Sequence, residues 1–432
     1  MKTKQIIILG LAYFSTTIGA GFASGQEALQ YYISYGTWGI IGAFITFLIV
    51  PPAAMIILQY GAYLRAQSHN EVFEEMMGSW LSKVFDWFLI FAQFAIASVM
   101  LAGAGANLDQ AFGLPTWVGS VVMLVLCVAF GLLDTERVTL VLGVLTPLMV
   151  VLLVGGSIWS IVQGPGDYQE VETYVMETIN QPLPNWFLST INYIGLGLFS
   201  SIAMAFLIGG TVWDNRIAGW GGLLGGVLFA GIMVLLVFGL MFRAEDIAHT
   251  PLPTLALFNQ IHPAIALVAA VMTYLMIFST ALGQLYSLAK RVASKKPQHF
   301  PWYLIGLSLV AFGISFFDFV TLVGFIFPIV GWMGIALIII LFGAFLYQGR
   351  NNFGQEYRRR DHVRSIILKT MDPKGRLSDE AMEEVEAGLE DSPVEPRLVS
   401  HDLIQDVQRE KGLPVVTVIE TPAEKQKGET NA

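Results

Sequence analysis

Apolar residues run through this chain in long unbroken blocks, with few polar positions between them. Stretches of about 20 residues, the length a helix needs to cross ~30 Å of hydrocarbon, lie at roughly 5–33, 37–64, 81–106, 116–133, 138–162, 187–210, 218–241, 264–289, 301–317 and 320–347. They do not alternate in and out as barrel strands do, and a helix satisfies its own backbone groups in lipid. The pattern predicts an all-α membrane protein of ten transmembrane helices. Met1-Lys2-Thr3-Lys4 is weakly basic, but the apolar block behind it continues past Tyr31. It reads as the first span and not as a cleavable leader.

Composition divides the chain in two. Hydrophobic residues make up 55% and charged ones 13%, half the share usual in a soluble domain. Residues 1–350 hold 12 Lys/Arg and 16 Asp/Glu, whereas 351–432 hold 12 and 17 in a much shorter length. A lipid-embedded core over 1–349 and an acidic, partly disordered tail over 350–432 follow, with one helix expected at Ser378 to Leu389. The single cysteine, Cys127, excludes an intramolecular disulfide or a multi-cysteine metal site.

Placing the N-terminus in the cytoplasm puts Lys2, Lys4, Arg65, Lys83, Arg137, Arg216, Lys290, Arg291, Lys295, Lys296, Arg350, Arg358, Arg359 and Arg360 inside and only Arg243 outside. That asymmetry is the positive-inside pattern, and a miscounted span would scatter it. It predicts cytoplasmic termini and an even number of spans. The outer loops are acidic, with Asp167, Glu170, Glu172 and Glu177, then Glu245 and Asp246, read as a solvated face. The stretch Pro251 to Pro263 suggests a short amphipathic helix over the outer mouth.

Ten spans divide into two sets of five, about 5–162 and 187–347, and an odd-numbered repeat places its copies upside down across the membrane. Gly10-Leu-Ala-Tyr-Phe-Ser-Thr16 in span 1 matches Gly195-Leu-Gly-Leu-Phe-Ser-Ser201 in span 6. The run Ser15 to Glu27 then packs glycines, hydroxyls and a carboxylate into one span. Glycine costs about 1 kcal/mol against alanine inside a helix, and unwound backbone survives at depth only beside a cavity or within protein. The pattern predicts helices 1 and 6 broken at mid-depth, with freed carbonyls for a cation and freed N–H groups for an anion. Close packing through Gly21 and Gly25 is the competing explanation for the small residues, and an interfacial helix end is the competing one for Glu27.

The string Ile18-Gly-Ala-Gly-Phe-Ala-Ser-Gly-Gln-Glu27 resembles the signature of YkvI-like bacterial membrane proteins. These in turn resemble the amino acid–polyamine–organocation transporter superfamily. The resemblance covers about residues 5–347 and implies the LeuT-type fold, alternating access, and an inner-membrane carrier of amino acids, related amines or other small solutes driven by sodium or protons. Carried over residue by residue, it implies a sodium site from the carbonyls of Ser15, Ile18 and Met276 and the hydroxyls of Ser279 and Thr280. Serine and threonine in membrane helices also bond back to the preceding turn, which leaves that pair open. Span 5 has no lysine to replace the ion, and Glu27 is the alternative proton carrier.

For the solute, Gly19, Ala20 and Gly21 facing Ser200 and Ser201 form the expected cradle. Glu27 and Gln93 join it, with Asn192 and Tyr193 as further lining; an interhelical hydrogen bond is the alternative role of Gln93. No nucleic-acid partner and no resident cofactor are expected. A channel would call for a filter or charged ring, and an enzyme for an HExxH, GxSxG or paired-acid site; none is visible. The alternative function is a transporter-like sensor signalling through the tail.

Overall fold

A computed structural model describes residues 2–133, 135–164 and 168–413. Each predicted apolar run coincides with helix. The first is divided into α1 (Lys2–Thr17), α2 (Ala20–Ser24) and α3 (Gln26–Tyr31), followed by α4 (Thr37–Leu64), α5 (His69–Phe112), α6 (Thr116–Gly131) and α7 (Thr135–Gln163). After α8 (Tyr168–Thr178) come α9 (Trp186–Gly210) and α10 (Asn215–Met241). The short α11 (Ala244–Ile247) and α12 (Pro253–Ile261) lead to α13 (Pro263–Val292), α14 (Phe300–Ile314) and α15 (Phe319–Ala344). The tail holds α16 (Arg350–Thr370), α17 (Asp379–Ala387) and α18 (Pro396–Glu410). Among the described residues, 7 helices are long and apolar enough to cross a membrane, and α6 is a shorter apolar one. Large apolar side chains such as Leu48, Val151, Phe325 and Ile339 point outward, as a lipid-facing surface requires. Asp167 and residues 414–432 lie outside the described residues, as do the side chains of Arg137 and Lys295.

The helices pack in two groups. α1 and α4 lie against α9 and α10, whereas α5 packs with α6, α13 and α14; α15 touches both α9 and α5. Without a hydrophobic driving force between helices in lipid, close backbone approach supplies the association. Gly195 of α9 and Gly334 of α15 show it: a Cβ added at Gly334 would run into the Gly195 carbonyl. Gly334→Ala is therefore expected to cost about 1–3 kcal/mol through forced separation of the two helices, checked by thermal melting in detergent.

That contact also explains a departure from the sequence reading. Span 6 is not broken: α9 runs continuously from Trp186 to Gly210. The Ser200 and Ser201 hydroxyls both donate to the Gly197 carbonyl, at 3.1 and 2.9 Å, and Gly195 serves packing. The polar groups that suggested an interruption are spent inside the helix.

The outer loops do more than present charge. The Thr37 N–H donates to Glu172 Oε1 at 2.7 Å, so this carboxylate from α8 caps the N-terminus of α4. The helix expected over the outer mouth is α12. Its Thr254 hydroxyl donates to the Ala23 carbonyl at 2.7 Å, and Gln110 of α5 bonds both the N–H and the carbonyl of Leu252.

The tail departs from the expected partial disorder over 350–413. Val363, Ile367, Val385, Leu389, Val399, Leu403 and Val407 bury together, closed by Trp213 from the α9–α10 loop. Ser378 caps the expected helix, accepting from the Ala381 N–H. Net hydropathy understated this segment, because few apolar residues suffice when their helical spacing places them on one face.

Candidate functional site

The division between α1 and α2 leaves a set of backbone groups without partners. Ile18 N–H still donates to the Phe14 carbonyl at 3.0 Å, and helical bonding resumes with Ala23 N–H to Gly19 O at 3.1 Å. Between them Gly19 is extended, at φ −98° and ψ 177°, with no side chain capping α2. Among the described residues, the carbonyls of Ser15, Thr16, Thr17 and Ile18 receive no backbone donor, and the N–H groups of Gly19, Ala20, Gly21 and Phe22 find no backbone acceptor. Carbonyl dipoles and N–H dipoles thus face the same gap, one set suited to a cation and the other to an anion.

A second bend brings a charge back to the gap. Gly25 sits at φ +78°, the left-handed region that an L side chain resists, and bends the chain between α2 and α3. Glu27 then lies against Gly21 so closely that a Cβ there would coincide with the carboxylate. Tyr193 of α9 donates its hydroxyl to Glu27 Oε2 at 2.9 Å. The Tyr193 ring is flanked by Tyr31 and Tyr32, with centroids at 5.4 and 5.2 Å. Among the described residues Glu27 has no ion-pair partner, and it is half-buried. An ionisable group in an apolar run without a counter-charge is a candidate functional residue.

Other expected residues divide between this site and the scaffold. α13 packs on α2; Met276 is buried, while Ser279 and Thr280 are half-buried. Their hydroxyls do not bond back to the preceding turn, in contrast with Thr17, Thr46, Ser98 and Thr190, which all do. Gln93 on α5 has a buried, unpartnered Oε1, which does not support the interhelical hydrogen bond considered for it. Ser201 lies beside the Tyr13 hydroxyl, whereas Ser200 is exposed. Asn192 points elsewhere, its Nδ2 donating to the Pro328 carbonyl of α15 at 3.0 Å.

Three groups were not singled out from sequence: the Tyr13, Tyr31 and Thr273 hydroxyls, all buried without a hydrogen-bond partner. A lone hydroxyl in an apolar helix carries no signal by itself. Tyr13, one turn before the break, and Tyr31, against the Tyr193 ring, take their meaning from the site beside them, since buried polar groups are mostly paired.

No family model matches the chain. Over 339 residues it is 26% identical to the uncharacterized protein YyaD of Bacillus subtilis (strain 168), a match spanning 78% of this chain and 94% of YyaD. Against the membrane protein YkvI of the same organism the identity is 22% over 338 residues, 76% of this chain and 93% of that protein. Among solved structures, MhsT in complex with L-phenylalanine superposes with a TM-score of 0.56 at 15% identity, covering 92% of this chain and 97% of MhsT. Mhp1 in its inward-facing conformation gives 0.57 at 14%, covering 98% and 94%. At such identities the structures speak to fold alone. The likeness to YkvI-like membrane proteins that begins in the first span therefore extends over three quarters of the chain, on a fold shared with MhsT and Mhp1.

Proposed function

We propose that the chain is a cation-coupled secondary transporter of a small polar solute, an amino acid or related amine, working by alternating access. The observation that carries this reading is the gap at Ile18–Gly19, with free carbonyls on one side, free N–H groups on the other, and the unpaired Glu27 carboxylate beside it. Counting the interrupted first segment, α6 and α14 with the seven longer helices gives ten crossings in two sets of five. With the bases of the tail side facing the cytoplasm, both termini lie inside, in the inner membrane of a bacterium.

The chemistry of the gap favours a zwitterion. The free N–H groups at the start of α2 suit a carboxylate and Glu27 suits an ammonium, while Gln93 and Thr273 offer neutral polar contacts. MhsT, which shares the fold, is resolved with L-phenylalanine, an amino acid. For the driving ion we favour sodium, held by the Ser15, Ile18 and Met276 carbonyls and the Ser279 and Thr280 hydroxyls; an all-oxygen set suits a hard cation. The free carbonyls at 15 and 18 and the unspent hydroxyls at 279 and 280 support that assignment.

Uptake of labelled amino acids into reconstituted vesicles, with and without an inward sodium gradient, tests the reading. Absence of uptake for every amino acid and amine offered would overturn it. Ser279→Ala with Thr280→Ala removes two oxygens and is expected to raise the sodium concentration for half-maximal uptake roughly tenfold or more. An unchanged sodium dependence would show that the ion sits elsewhere.

A further inference from the structure

A cavity of about 280 Å³ opens on the tail side, away from the gap, where three parts of the chain meet. α4 contributes Tyr60 and Tyr63 near its C-terminal end. Glu75 and Met76 come from the first turns of α5, and the α15–α16 junction contributes Tyr347 and Phe353. The bend at Gly78, with φ 76° and ψ 166°, turns residues 69–77 across this face and brings Glu75 to the cavity. Gly349 lets the backbone approach Tyr60: a Cβ there would stand 3.0 Å from the Tyr60 hydroxyl.

The composition of the walls is one-sided. Four aromatic rings and one carboxylate line it, and no lysine or arginine does. Phe353 stands edge-on to Tyr60 at 4.8 Å and tilted against Tyr63 at 5.2 Å. Of the bases on α16, Arg359 and Arg360 are engaged by Glu356, and Arg350, beside Gly349, is exposed and does not line the cavity. Among the described residues Glu75 makes no ion pair and the Tyr60 and Tyr63 hydroxyls make no hydrogen bond. Aromatic faces attract an organic cation through their quadrupoles, and a carboxylate at the rim adds a full charge. A bare metal ion would find too few oxygens here.

We propose that this cavity binds an organic ammonium group, caged by Tyr60, Tyr63, Tyr347 and Phe353 and countered by Glu75. The ammonium can arrive on a free amine or on a lipid headgroup, since Tyr347 is among the most exposed aromatic side chains and such residues sit at headgroup level. The site joins α4, from one packing group, to α5 from the other, so its ligand bridges the two.

Thermal melting of the purified full chain tests the assignment with two probes. Choline chloride is compared with equal sodium chloride in detergent, and nanodiscs of phosphatidylethanolamine with nanodiscs of phosphatidylglycerol. At least one probe should raise the wild-type melting midpoint by about 2 °C when near saturation, and Glu75→Gln should lose that rise. A response to choline identifies a free amine as sufficient, and a response to phosphatidylethanolamine alone identifies the headgroup. Glu27→Gln, at the central gap, should keep the response. The proposal fails if neither probe shifts the wild type, if Glu75→Gln responds as the wild type does, or if Glu27→Gln abolishes the shift.

Discussion

Glu27→Gln is expected to reduce solute uptake by about two orders of magnitude while leaving the fold at least as stable. The two side chains have the same shape, and glutamine Oε1 can still accept the 2.9 Å hydrogen bond from Tyr193. The tight fit against Gly21 is likewise preserved. What disappears is the charge. Loss of one charged partner from a desolvated pair costs about 2–5 kcal/mol, and a hundredfold effect corresponds to about 2.7 kcal/mol. The empty site works in the opposite direction, because an uncompensated carboxylate beside a ring of three tyrosines disfavours the folded state. Neutralising it should therefore leave the melting midpoint unchanged or higher, the usual relation between functional sites and stability. Vesicle uptake and a thermal melt on the same preparation separate the outcomes. A parallel loss of both would assign Glu27 to the scaffold, and unimpaired uptake would remove it from the transport path.

The break in the first span was legible because its cause is local. Gly19, Gly21 and Gly25 interrupt a run whose hydroxyls already compete for backbone partners, and nothing distant is needed to see that a helix is weak there. The corresponding string in α9 looked alike but behaves differently. Its serines turn back on Gly197, and Gly195 is taken up by the approach of Gly334, more than a hundred residues away. Similar residues thus give an interruption in one span and a packed helix in the other, and tertiary contact decides which. Glu27 could be flagged as an ionisable residue in an apolar run, but not its partner Tyr193, which depends on how α3 meets α9. In the tail, the pairs 363 and 367, 385 and 389, and the set 399, 403 and 407 carry a helical spacing that high charge obscures in any average. Trp213, which closes that core, lies in a loop between two membrane helices and gives no sign in the sequence of where it belongs.

Arg360→Ala is expected to release the tail from the membrane core. The guanidinium is 1% exposed and joins three separate pieces of chain. Its Nη1 donates to the Ala62 and Trp213 carbonyls, each at 2.9 Å, and Nη2 donates to the Tyr63 carbonyl at 2.6 Å. Nε donates to Glu356 Oε1 at 2.7 Å, and that carboxylate also accepts from Ser392 at 2.6 Å. Ala62 and Tyr63 belong to the last turn of α4, where carbonyls carry the negative end of the dipole; the Ala62 carbonyl also accepts from the Arg65 N–H at 3.3 Å. Glu356 keeps its pair with Arg359 in the alanine variant, so the loss is that of the three carbonyl contacts and one arm of a shared ion pair, about 1.5–3 kcal/mol for each buried bond to a charged group. The other contacts are weaker: Arg65 with Asp402, the Arg216 guanidinium 3.6 Å over the Tyr357 ring, and Asn215 Nδ2 to the Phe353 carbonyl at 2.8 Å. Amide hydrogen exchange in α16 to α18 should accelerate at least a hundredfold, while exchange in α9 and α10 remains slow. Arg360→Lys should rescue only part of the protection, since an ammonium cannot span three carbonyls and a carboxylate as a planar fork does. Unchanged exchange in the alanine variant would show that the apolar core around Trp213 holds the tail without the arginine. In that case the polar contacts at the end of α4 serve to orient the tail, and the docking free energy resides in the burial of Val363, Ile367 and Leu403.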